Sequence, residues 1–105
     1  MTLEELKSVL EETNLPVAYR AFPATEAPAM PFIVYQDIGS DNFGADNIVF
    51  FPVMRVQIDL FTRLKERTTE EALEGILNGA GIYWERVPEF IEDEACYRVT
   101  YEIVI

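Results

Sequence analysis

The chain has 105 residues, with 8 Lys+Arg against 19 Asp+Glu, no histidine and one cysteine, and its formal net charge is −11. At this length one domain spanning 1–105 is expected, with a radius of gyration of ~13 Å. The composition excludes Ser-His-Asp and Cys-His relays, imidazole zinc sites and an internal disulfide, and it leaves too few cations to grip a phosphate backbone.

In chain order, Thr2 and Glu5 form a capping box ahead of a short amphipathic helix. Leu3, Leu6, Val9 and Leu10 make its apolar stripe, and Asn14 and Pro16 close it. Val17–Phe22 reads as a first strand. Residues 23–31 hold three prolines and form a surface connector. Phe32–Ile38 is a second strand, β-branched and aromatic, followed by a polar loop over 39–47. A third strand runs from Ile48 to Thr62. Met54, Val56, Ile58 and Leu60 alternate there with Arg55, Gln57, Asp59 and Phe61, so one face is buried and the other mostly wet. Pro52 marks a bulge or an edge position in that run. Its length suggests a strand that overhangs the core.

Thr68 and Glu71 suggest a second capping box. Ala72, Leu73, Ile76 and Leu77 form the next helical stripe, and Asn78-Gly79 form its left-handed end. Gly75 inside this helix costs about 1 kcal/mol relative to Ala, which close approach of the helix to a sheet would justify. Ile82–Val87 is a fourth strand, ended by Pro88, and 89–94 is an acidic turn. The last strand alternates Ala95, Tyr97, Val99, Tyr101, Ile103 and Ile105 against Cys96, Arg98, Thr100, Glu102 and Val104. The order α-β-β-β-α-β-β predicts an α+β two-layer sandwich. One mainly antiparallel five-stranded sheet carries two helices on one face.

No catalytic constellation emerges, so no enzymatic activity, cofactor or metal is expected. Glu89, Glu92, Asp93 and Glu94 cluster on a turn, where a solvated carboxylate lacks the burial or close partner that a general acid needs. Asp41–Asp46 holds calcium-loop ingredients, but Phe43 and Ala45 stand where polar residues are wanted. Cys96 has no neighbour in sequence that would activate it. Strand aromatics could stack nucleic-acid bases, but the basic groove this requires is missing. The lone cysteine suggests a reducing compartment, and neither a membrane span nor a signal peptide is expected.

What stands out is surplus apolar surface. Phe50-Phe51, Phe61 and Ile103-Val104-Ile105 put bulky groups on both faces of their strands, and Phe43 tips a polar loop. Such patches mark partner surfaces, unless the connector covers the second face.

The runs Pro31–Gln36, Asp41–Asn47 and Val56–Thr62, with the Glu-rich second helix, resemble tail-terminator and head–tail joining proteins of long-tailed phages and prophages. The resemblance covers most of the chain. It implies a subunit of a homo-oligomeric ring, commonly sixfold, that meets tail-tube and head-connector proteins and lets DNA pass without specific binding. It places the protein in the host cytoplasm during assembly and in the virion neck or tail end afterwards. On that reading Phe43, Phe50, Phe51, Phe61, Ile103 and Ile105 are candidate subunit contacts. Asp41, Asp46, Glu92, Asp93 and Glu94 are candidates for an acidic lumen or turn, which would repel the phosphate backbone. The alternative is an acidic inhibitor or DNA mimic that occupies a cationic site on a nucleic-acid enzyme.

Overall fold

A computed structural model describes residues 1–40, 42–45 and 47–105, with residues 43–45 and 49–51 described by backbone alone. Helix α1 (Leu3–Glu11) leads into β1 (Val17–Tyr19), β2 (Phe32–Ser40), β3 (Phe43–Ala45), β4 (Ile48–Phe51) and β5 (Met54–Thr62). Then come α2 (Arg67–Gly79), β6 (Trp84–Ile91), a 3-10 turn (Glu92–Glu94) and β7 (Cys96–Val104). The main sheet has the order β1-β2-β5-β7-β6, and β3-β4 form a two-stranded sheet of their own. All pairings in the main sheet are antiparallel except β1 with β2. The fold is α+β, with two helices and a five-stranded mixed sheet.

Residue chemistry explains these elements. The Thr2–Glu5 capping box forms in both directions, at 2.9 and 3.1 Å, which satisfies two orphan amides at the N-terminus of α1. Leu6 and Leu10 of α1 meet Leu73 and Leu77 of α2 in one core, with Ile33, Tyr35, Val56, Ile58, Leu60, Val99, Tyr101 and Ile103 of the sheet. Both helices therefore cover the same face, since the inward strand residues recur at every second position.

Several local expectations are corrected. The first strand ends at Tyr19, because Arg20 adopts a left-handed φ of 67° that breaks the extended run. The segment from Ile48 to Thr62 is two strands. Pro52 lacks a ladder donor and separates β4, which pairs with β3, from β5, which lies between β2 and β7. Asn42 Oδ1 accepts from Val53 N at 2.9 Å and ties the two stems of that hairpin together. The molecule measures 49 × 28 × 23 Å with a radius of gyration of 14.8 Å, longer than a compact chain of this size.

Pro88 does not end a strand. It lies within β6, opposite Val99, and is tolerated because β6 is an edge strand. The acidic turn accordingly contracts to Glu92–Glu94, closed by Ala95 in the left-handed conformation at φ 49°.

Helix α2 starts at Arg67, with Glu66 at the cap position and no side-chain cap bond, so Thr68 is not its N-cap. Its left-handed residue is Gly81, at φ 73°, rather than Gly79. Ile82 N donates to Leu77 O and Gly81 N to Asn78 O, both at 3.0 Å, the paired bonds of a Schellman motif. Ile82 and Leu77 both lie in the core, which supplies the apolar contact of that motif.

Gly75 is exposed, and a Cβ there would meet nothing within 4 Å, so close packing does not explain it. Opposite effects are therefore expected at two glycines of one helix. Gly75→Ala raises stability by about 1 kcal/mol through helix propensity. Gly81→Ala lowers it by about 1 kcal/mol through the left-handed backbone. Thermal denaturation of the two variants beside the parent checks both signs.

Candidate interaction surface

Two polar systems flank the main sheet, one between the sheet and α2 and one on the open face. The first begins with helical spacing. Glu70, Leu73, Glu74 and Leu77 fall at i, i+3, i+4 and i+7 and form the buried face of α2. Ala72, placed on that face from the sequence, is exposed. Two glutamates thus enter the layer between helix and sheet.

Glu70 is 1% exposed. Its Oε1 accepts from Arg67 Nη1 at 2.7 Å and from Arg86 Nη1 at 2.8 Å. Its Oε2 makes an ion pair with the Lys65 ammonium at 2.8 Å, outside hydrogen-bond alignment. Burial pushes the Glu70 carboxyl up, but the Lys65 and Arg67 cations outweigh it and hold it below the usual glutamate range. Glu74 Oε2 accepts from the phenol of Tyr101 at 2.7 Å. Burial and that bond push the Tyr101 hydroxyl far above its ordinary value, so it stays neutral while the fold persists. Trp84 meets the Tyr101 ring edge-on at 5.5 Å, and its indole N–H donates to Asn78 Oδ1 at 2.9 Å. Together these contacts fasten α2 to β6 and β7.

The open face carries the alternate residues of the same strands. Asp59, expected to be wet, is buried there. It accepts from Thr100 Oγ1 at 2.7 Å and from Gln57 Nε2 at 2.9 Å. Arg55 pairs with Glu102 across β5 and β7, and Arg98 pairs with Glu89 at 3.1 Å across β7 and β6. At one end Phe22, just ahead of the Pro-rich connector, packs edge-on to Phe32 at 5.3 Å, and Phe32 lies against Phe61 at 5.1 Å. The connector's own residues are mostly exposed, with Ala27 bordering a groove on this face. At the other end a groove of about 410 Å³ remains, bordered by Tyr83, Val87 and Val104 with Glu85, Thr100 and Glu102. Tyr83 is 77% exposed, Val87 65% and Val104 48%.

This arrangement redistributes the candidate contacts. Ile103 is 1% exposed and belongs to the core, so it is not available to a partner as the fold stands. Ile105 is half-buried against the core and exchanges backbone hydrogen bonds with Met54 at 2.9 Å in both directions. Phe61 is half-buried in the aromatic stack. Only Val104 of the C-terminal trio is exposed, because the end of β7 alternates, with Tyr101 and Ile103 buried and Glu102 and Val104 on the opposite face. The side chains of Phe43, Phe50 and Phe51 lie outside the described residues, as do Asp41 and Asp46. Glu92, Asp93 and Glu94 are all exposed on the 3-10 turn.

Tyr83 and Val87 were missed because residues 82–87 read as an ordinary strand. Only the placement of β6 at a sheet edge exposes them. Among the described residues, no group of three or more metal-ligating side chains could hold an ion. No helix there is long and apolar enough to cross a membrane. Cys96 is fully buried, and burial, followed by the nearby Glu94 charge, pushes its thiol up. Cys96 is therefore expected to resist a thiol-reactive chromophore in the native protein and to react stoichiometrically once denaturant is added.

No family model matches the chain, and no curated protein does. A likeness to a solved structure is found. A chain from the virion of a native gene transfer agent particle superposes with a TM-score of 0.66 at 14% sequence identity. The match covers 96% of this chain and 87% of that one. At that identity what is shared is the fold, and it spans nearly the whole of this chain, both helices and the main sheet included.

Proposed function

We propose that this protein is a structural subunit of a phage-like virion. In this reading it forms a homo-oligomeric ring as a tail-terminator or head–tail joining protein and carries no catalytic activity. The observation that supports this most is the fold likeness to a gene transfer agent virion chain over 96% of the sequence. The sequence resemblance to neck proteins points the same way.

The surface is compatible with assembly. Exposed Tyr83, Val87 and Val104 offer apolar contact on an open sheet face. A net charge of −11 keeps such a chain soluble before it associates. In the ring, exposed carboxylates such as those of Glu92–Glu94 would line or border the lumen and let DNA slide past without being held. The subunit would accumulate in the host cytoplasm and end at the virion neck, between tail tube and head connector. The inhibitor or DNA-mimic alternative is less well served. Asp59, Glu70, Glu74, Glu89 and Glu102 are engaged internally and do not form a free row of phosphate-like charges.

The test is mass in solution with and without tail-tube protein. Capped tubes of uniform length, or a discrete ring of this chain, are expected. A strictly monomeric chain at high concentration that leaves tube growth unchanged overturns the assignment.

A further inference from the structure

We infer that the groove over β6 and β7, with Glu85 and Glu102 at its centre, receives an arginine flanked by apolar residues from an unlike, basic protein. The inference rests on the reading of that face as a contact surface and adds the chemistry of the partner, whatever the symmetry of the assembly.

The register of the sheet sets two carboxylates side by side. Glu85 of β6 lies directly opposite Glu102 of β7, and both are exposed on the face away from the helices. Like charges opposite one another on one face of an antiparallel pair destabilise it. Arg55 reaches Glu102 from β5, on the flank of β7 away from β6. Glu85 has no ion-pair partner among the described residues, and its Oε1 accepts from the Tyr83 phenol at 2.7 Å. One cation thus serves two carboxylates, and no Lys or Arg borders the groove itself. A cation brought from outside would relieve the pair.

The rim of the groove narrows what that cation can be. Tyr83, Glu85 and Val87 recur at every second position along one side, and Thr100, Glu102 and Val104 along the other. The carboxylates are therefore central, with exposed Tyr83, Val87 and Val104 around them. A guanidinium can lie over the Tyr83 ring while its fork of N–H donors reaches the carboxylates. Its alkyl stem and apolar neighbours then cover Val87 and Val104, which a bare inorganic ion would leave wet. Because β6 is an edge strand, the groove is open to such a segment from the side. A second copy fits less well. It brings a further −11, and it already holds Arg55, Arg67, Arg86 and Arg98 in ion pairs of its own. A phosphate backbone is repelled outright. Charge and shape together select a basic protein.

The test is an NMR titration of the isotope-labelled full chain with three synthetic heptapeptides, in which valine alternates with arginine, lysine or glutamate. At millimolar concentration the arginine peptide is expected to shift the amide resonances of residues 83–87 and 100–104. The lysine peptide should bind more weakly and the glutamate peptide not at all. Glu85→Lys is expected to weaken arginine-peptide binding about 10-fold or more, yet to melt at or above the parent temperature. That combination follows because the variant turns a repulsive cross-strand pair into an attractive one. The inference is overturned if the arginine peptide leaves these resonances unmoved, if the glutamate peptide binds as well, or if Glu85→Lys binds like the parent. Sedimentation equilibrium separates the remaining occupant: a parent that self-associates through this groove, and loses that association in Glu85→Lys, also overturns it. If the parent caps tail tubes but binds no peptide, the assembly reading stands and this inference fails. If it binds the arginine peptide but neither forms rings nor caps tubes, the assembly reading fails and the groove's preference for a basic partner stands.

Discussion

Tyr101→Ala is expected to destabilise the fold by about 3–5 kcal/mol, the largest effect of any single truncation considered. Tyr101 is the largest of the fully buried side chains. It sits at the centre of β7, paired with Ile58 on one side and Arg86 on the other. Truncation removes the ring against Trp84, opens a cavity under α2 and leaves Glu74 without its phenol donor. Tyr101→Phe separates these terms. It keeps the ring and removes only the hydroxyl, at a cost of about 1–3 kcal/mol, because Glu74 Oε2 then keeps only its 3.5 Å contact with Arg67 Nη1. If the phenylalanine variant were as unstable as the alanine variant, the hydrogen bond rather than packing would dominate. If it were as stable as the parent, the Glu74 contact would carry no net weight. Chemical denaturation of the three proteins decides between these.

Glu70→Ala should cost about 2–3 kcal/mol, less than a fully buried pair because its cationic partners can return to water. Lys65, Arg67 and Arg86 come from the connector before α2, from α2 itself and from β6, so this one carboxylate joins three parts of the chain. Its pH dependence has a definite sign. The folded-state pKa lies below the ordinary value, although burial alone would raise it, because the surrounding cations favour the ionised form. The stabilisation is therefore complete above the unfolded-state value of about 4.3 and is lost as pH falls through the lower folded-state value. Glu70→Gln should lower stability at neutral pH and flatten the acid limb of the stability profile. A variant whose acid limb runs parallel to the parent's would show that Glu70 is not one of the groups titrating there.

Much of the fold was legible because its signals are local. The Thr2–Glu5 box, the Leu6–Leu10 stripe and the alternation along Met54–Thr62 each follow from the spacing of a few neighbours. What was not legible depends on tertiary placement. Pro88 reads as a strand end in isolation and becomes admissible only because β6 has no neighbour on one side. Pro52 signals an interruption, but not that the preceding residues leave the main sheet to pair with 43–45. Glu70 and Glu74 are charged and so fall outside the apolar stripe, although they share one helical face with Leu73 and Leu77. Exposed apolar side chains are present, but not all of them where strand patterning alone puts them. Ile103 faces the core, whereas Val104, Tyr83 and Val87 face outward, and only the register between β6 and β7 settles which is which.

The net charge of −11 takes on a more specific meaning in this setting. Most cations hold carboxylates of the same chain, at Glu70, Glu89 and Glu102.

The most direct measurement is cryo-electron microscopy of particles from the producing host, with this chain carrying a small density tag. A ring-forming neck subunit, as proposed, is expected to give one ring of tagged subunits at the junction of tail tube and head connector, with DNA passing through its centre. Particles complete and infectious without this chain, or tag density spread along the tail or absent from the particle, would contradict it.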